Sequence, residues 1–185
     1  TGVHVYLALQ ELIARECPAI SETALTIGQF CAGSASNVIP ETAVLQGTMR
    51  SFDEKTMSHL IARLNEIVPS VAGAYRTKAE IEVISDIPIV RCNEELNQEI
   101  VEGLKELEPE LKAVCAYHVM GSEDFAYISQ KIPASYMCIG AGIEDVSKRY
   151  VEHNPKVRFH ESALVKGAAI YAGTAMRWLD LHGNQ

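Results

Sequence analysis

The residues of this sequence whose types and spacing point to chemistry lie in two short blocks, Met120-Gly121-Ser122-Glu123-Asp124-Phe125 and Glu152-His153-Asn154-Pro155. The second block stands just ahead of a long Ala-rich apolar run. It sets an imidazole on a loop at the mouth of a helix, with Pro155 holding Asn154 extended. Imidazole is a common ligand of divalent ions, but a catalytic metal ordinarily takes three protein ligands and a metal pair takes more. No second cluster of ligand-type residues stands nearby, so the chain reads as part of an active site. Taken by itself, a loop histidine is more often a surface residue, and Glu152 is either its partner or solvated. The first block joins a strand end to a helix start, where free backbone N–H groups can receive a carboxylate or an oxyanion. The same residues also make an ordinary helix N-terminus, with Ser122 as cap and Glu123 and Asp124 complementing the dipole. That acidic pair disfavours a free phosphate.

Two polar residues in the first half extend this picture. Arg50 falls on the polar face of an expected strand and can clamp a carboxylate through two parallel N–H groups. Asn37, in a small-residue segment, can donate or accept hydrogen bonds. The bland readings are an exposed cross-strand arginine and a turn asparagine. A nucleophile pair of Cys138 and His153 is disfavoured, because Cys138 lies within a buried-strand pattern and reads as core. His59, His118, His160 and His182 show no ligand spacing.

The elements that must carry these residues are legible as periodicities. Val5, Leu9, Leu12 and Ile13 recur at helical spacing until Pro18 ends the run. Residues 24–31 and 42–52 read as strands; in the second, Val44, Gln46, Thr48 and Arg50 share one face and Ala43, Leu45, Gly47 and Met49 the other. Ser51 and Glu54 form a capping box for a helix whose Met57, Leu60, Ile61, Leu64, Ile67 and Val68 make one stripe, running to about Ala74. Ile81, Val83 and Ile87 mark a third strand. The result is a small sheet with two helices on one face, which a strand ahead of Thr1 would complete as a ferredoxin-like β-α-β-β-α-β unit, its other face polar and open to a second subunit. Beyond it come a helix capped by Asn93 and ending at Pro109, a short strand at 113–117, a Ser122-capped helix through Ile128, a buried strand at 135–139, a Gly-rich loop, and a helix at 161–181 rich in small residues. This second half is α/β with too few strands for a complete doubly wound sheet.

Composition excludes other classes. The 185 residues, 48% hydrophobic, suit one sizeable domain or two small ones. A net charge of −8 without a basic run argues against nucleic acid. No apolar stretch reaches membrane-spanning length, and Thr1-Gly2-Val3-His4-Val5-Tyr6 lacks the order of a signal peptide, so the chain reads as an interior segment of a longer soluble protein. The five cysteines are scattered and mostly flanked by apolar residues, which predicts reduced, buried thiols in a cytoplasmic protein.

Four blocks together resemble a known family. Gly33-Ser34-Ala35-Ser36-Asn37-Val38-Ile39-Pro40, Leu45-Gln46-Gly47-Thr48-Met49-Arg50-Ser51-Phe52, residues 120–126, and His153-Asn154-Pro155 with Glu161, Leu164 and Gly167 look like the aminoacylase and carboxypeptidase superfamily of metal-dependent amidohydrolases. Within it they are most similar to the hippurate hydrolase and indole-acetyl-amino-acid hydrolase type. The resemblance implies an α/β catalytic domain interrupted by a dimerising lid. It also implies a pair of divalent ions, zinc or manganese, activating water against the amide of an N-acyl amino acid or small peptide. By that likeness His153 matches the last metal ligand, Asn37 and Arg50 match lid positions that hold substrate, and Gly121 and Ser122 match a substrate-facing loop. Residues 1–88 would be the lid and dimerisation domain without its first strand, and residues 89–185 the C-terminal part of the catalytic domain. The family's other ligands and its general base would precede Thr1, leaving this segment inactive alone. Val119 and Val157 depart from the pattern, where a proline and an aromatic are usual. A non-catalytic dimerisation or amino-acid-binding module is the alternative reading.

Overall fold

The computed structural model describes residues 1–114 and 118–183. They form two compact units, one of residues 1–89 with 118–126, the other of the remaining described residues.

In the first unit, helix α1 (Gly2–Glu11) buries Val5 and Leu9 at a spacing of four and continues into one widened turn, Leu12–Glu16, where Leu12 is wholly buried. Strands β1 (Thr23–Ala32) and β2 (Ala43–Ser51) pair antiparallel. The register runs from Thr23 opposite Ser51 to Ala32 opposite Ala43 and slips by one residue at Gly28. That bulge puts Phe30, opposite Leu45 and beside Gly2, on the same side of the hairpin as Leu25 and Ile27 although their spacing is not strictly two, and Phe30 stays partly exposed. Helix α2 (Glu54–Ala74) contributes Leu60 and Val68, and Leu25, Ile27, Leu45 and Met49 from the hairpin pack onto the same core. A charged clamp ties the end of the widened turn to α2: Arg63 donates to both oxygens of Glu16 at 2.6 and 2.9 Å, and His59 lies 3.3 Å from the same carboxylate. The hydrogen bonds from Arg63 hold the Glu16 carboxyl below the usual glutamate range.

In the second unit, α3 (Glu94–Leu107) is capped as expected by Asn93, whose Oδ1 accepts from Leu96 N at 2.8 Å. A short turn of helix, α4 (Ala126–Ser129), begins at the last residue of the first unit, and in the second unit α5 (Ser162–His182) packs along α3. Gly103 and Gly173 permit that approach. A Cβ on Gly103 would stand 2.5 Å from the Arg177 side chain, and one on Gly173 would stand 2.5 Å from Leu107. Ion pairs from Arg177 to Glu106, Lys166 to Glu108 and His182 to Glu99 run along the same two helices. Much of α5 remains uncovered, with Leu164, Tyr171 and Met176 exposed.

The mixed α/β character and the helix, strand, strand, helix order agree with the sequence reading; several details do not. The cap of α2 is Asp53, which accepts from Thr56 N at 2.7 Å, while Ser51 Oγ instead accepts from Asp53 N. Residues 81–87 form no strand, although Ala79 and Ile81 pack on the core with the expected alternation. In a β-α-β-β-α-β unit the last strand pairs with the first, and neither β1 nor β2 supplies that neighbour. Residues 135–139 likewise form no strand and are largely exposed, with contacts that include Asn93 N to Ala134 O (2.7 Å) and Tyr136 N to Cys92 Sγ (3.3 Å). Cys138, read as core, is therefore exposed, as are Cys31 and Cys92, while Cys17 is half-buried. The strand expected at 113–117 falls partly outside the described residues, and 113–114 are irregular. The helix read through Ile128 from a Ser122 cap is only α4; Glu123 Oε1 turns back to accept from Phe125 N at 3.3 Å.

Two outcomes follow. Leu60→Ala should destabilise the first unit by about 2–5 kcal/mol, read as a lower urea midpoint, because it opens a cavity at a wholly buried position. Glu16 stabilises above the unfolded glutamate pKa of about 4.3 and loses that contribution as pH falls through its lower folded value. Arg63→Met should therefore flatten the acid limb of the stability-versus-pH curve between about 4.3 and that lower value.

Candidate functional site

The structure brings Arg50 together with the Met120-Gly121-Ser122 block. One Nη of Arg50 donates to the carbonyl oxygen of Met120, across 70 positions of sequence. Arg50 stands opposite Ala24 on the face of the hairpin turned away from α1 and α2. Part of the face expected to be open is thus occupied by this segment of the chain. Gly121 and Ser122 follow immediately and are exposed. Their backbone N–H groups make no hydrogen bond among the described residues. The half-buried guanidinium has donors left after Met120, and a carboxylate is the ligand this combination suits.

Sequence reasoning passed over three residues beside them. His118 stacks on Phe52, with ring centroids 5.0 Å apart, and its Nδ1 lies 3.1 Å from Glu22 Oε2. Glu22 and Phe52 flank the last cross-strand pair, so the strand register was the signal that could have located them. Asn37 lies in the turn between the strands, exposed and without a hydrogen-bond partner among the described residues.

His153 belongs to the second unit, in a loop built from two successive turns. Asn154 N donates to Val151 O (3.2 Å) and Val157 N to Asn154 O (2.9 Å), while Asn154 Oδ1 accepts from Lys156 N (2.9 Å). The base of the loop is closed where Gly142 bridges Phe159 and His160 N donates to Ala141 O. Within it, Lys148 at 2.8 Å and then Ser147 hold the Asp145 carboxyl below its ordinary range. His153 has a positive φ of 66°, a region costly for most side chains, and its ring is exposed with no partner among the described residues. The left-handed backbone of this turn thus carries an outward imidazole that is free to meet a ligand. Among the described residues, no group of three or more His, Cys, Asp and Glu converges as a metal site. One open depression of about 380 Å³ in this unit is lined by Glu108, Lys112, Gly140, Ser162 and Lys166, and not by His153. No helix among the described residues is long and apolar enough to cross a membrane.

The chain belongs to peptidase family M20/M25/M40, whose model matches residues 6–177. It is 31% identical over 180 residues to the IAA-amino acid hydrolase ILR1-like 2 of Arabidopsis thaliana, covering 95% of this chain and 40% of that one. It is 30% identical over 172 residues to thermostable carboxypeptidase 2 of Saccharolobus solfataricus, covering 92% and 43%. Its fold matches the YXEP protein of Bacillus subtilis, a dinuclear metal-binding peptidase of the M20 family. That match has a TM-score of 0.77 at 23% identity, over 97% of this chain and 45% of that one. The chain thus spans less than half the length of the relatives it matches.

The left-handed backbone at His153 makes a prediction independent of catalysis. His153→Gly should be more stable than His153→Ala by about 1 kcal/mol in chemical denaturation, since only glycine adopts that conformation freely.

Proposed function

We propose that the full-length protein hydrolyses the amide bond of N-acyl amino acids or small peptides. Residues 1–88 act as lid and dimerisation domain, and residues 89–185 as the C-terminal part of the catalytic domain. The observation that carries this reading is the family match along nearly the whole chain, whose relatives include an IAA-amino acid hydrolase and a carboxypeptidase.

Among the described residues, the donors suit one position of a metal centre. His153 is exposed and without a partner among the described residues, whereas no cluster among them would complete the site. A zinc or manganese pair, when bound to the full-length enzyme, would supply an activated water. His153 would hold one of the ions through a neutral imidazole, and Arg50 and Asn37 would bind the carboxylate and amide oxygens of the substrate. Gly121 and Ser122 would bound the same substrate from the loop. This assignment puts the other ligands and the general base in the part of the protein outside this chain. The reading extends to a cytoplasmic homodimer joined through the lid, with Asn37 and Arg50 free to serve either subunit's site.

His153→Ala in the full-length enzyme should lower kcat/KM by orders of magnitude and loosen one metal, measured together by turnover and bound-metal analysis. Full activity with full metal content would remove His153 from the site. Arg50→Ala should weaken catalysis while sparing metal content. If it acts across the dimer, heterodimers of Arg50→Ala and His153→Ala subunits should regain part of the activity. The 185-residue chain alone should bind zinc or manganese weakly in calorimetry and turn over no N-acyl amino acid, because one imidazole does not hold an ion as converging ligands do.

A further inference from the structure

The hairpin end that carries Arg50 is built as a seat for a segment remote in sequence. Past the register pair of Thr23 and Ser51, Phe52 N donates to Glu22 O at 3.4 Å, and the hydroxyls of Thr23 and Ser51 meet at 3.2 Å, so Glu22 and Phe52 are held side by side. Strand alternation puts Phe52 on the same face as Arg50, and Glu22 on the same face as Ala24 across from it. His118 joins both, stacking on Phe52 at 5.0 Å and meeting Glu22 at 3.1 Å. Two residues later Met120 O accepts from Arg50. Three contacts thus fall within residues 118–120, all on the outer face, and the next two residues are Gly121 and Ser122 with unpaired backbone N–H groups.

We propose that His118 is a positioning residue: with Glu22 and Phe52 it seats residues 118–122 on the outer face of the hairpin, so that Gly121, Ser122 and the remaining donors of Arg50 address one substrate carboxylate. The proposal rests on the amide-hydrolase reading for its ligand, and on the contacts alone for the seating. One of the donors of Arg50 is spent on Met120 O, so the arginine holds the loop as well as the ligand. His118 does not touch the ligand; it limits how far the loop can swing away from Arg50. The Glu22–His118 pair is more than half exposed on both sides, so its effect is a bias in loop position and not a condition for folding.

The test uses the full-length protein with His118→Ala, Glu22→Gln and the double variant, assayed on a panel of N-acyl amino acids and small peptides and by hydrogen exchange over residues 118–126. Each single variant should raise KM about three- to tenfold with kcat within about twofold and bound metal unchanged. The double variant should be no worse than the worse single, because both remove one arrangement. Exchange at 118–126 should quicken in every variant, and His118→Phe, which keeps the stack and loses the pair, should fall between His118→Ala and the parent. Unchanged KM and unchanged exchange in a turning-over enzyme would overturn the proposal, as would a loss of bound metal or of kcat without a change in KM. If the parent protein cleaves neither N-acyl amino acids nor small peptides, the hydrolase reading falls by itself. Exchange then decides the seating, faster supporting it and unchanged overturning it.

Discussion

The constraint on which the first unit depends is that a two-stranded hairpin cannot bury itself. Alone in water such a hairpin is marginal, because one of its faces is apolar and nothing covers it. Here α1 with its widened turn and α2 supply the cover, meeting around Leu12 and Leu60, the two largest wholly buried side chains. Once the inner face is committed to that core, alternation along β1 and β2 sends Arg50, Phe52 and Glu22 outward. The bulge at Gly28 matters for the same reason. Without the extra residue, Phe30 would turn away from the core and the far half of the hairpin would present its other side.

Charge supports this arrangement where apolar contact ends. The widened turn would otherwise fray at Glu16, which is followed by Cys17 and Pro18. Arg63 grips both carboxylate oxygens and also reaches Glu66, so the end of the first helical segment is fastened to the middle of α2. At the far end of α2, Arg76 takes a left-handed conformation, and Thr77 N and Oγ1 both donate to Ala72 O at 3.0 Å, closing the helix as a glycine commonly would.

The second unit shows a different economy. Its two long helices are held by close approach at Gly103 and Gly173 and by three ion pairs along their length, yet few of its apolar residues are buried. Residues 135–139 and the exposed side of α5 carry the pattern of elements meant to lie against a sheet. A strand forms only where another backbone offers its hydrogen bonds.

The sequence by itself determined whatever depends on neighbours within a turn or two: α1, α2, α3 and α5 from their apolar spacing, the hairpin from its alternation, the Asn93 cap, and the loop that Asn154 and Pro155 build around His153. The family, too, was legible in four short blocks, because the residues that mark it are local motifs. Tertiary structure decided what depends on partners far away in the chain. Residues 81–87 and 135–139 have strand patterns but form no strand among the described residues, so periodicity alone overstated them, and Cys138 lost the burial that such a strand would have given it. Asp53 took the cap from Ser51 because Ser51 closes the hairpin against Thr23. The meeting of Arg50 with Met120, and of His118 with Glu22 and Phe52, had no trace in local spacing. It arises because the core claims one face of the hairpin and leaves the other to receive a segment some 70 residues away.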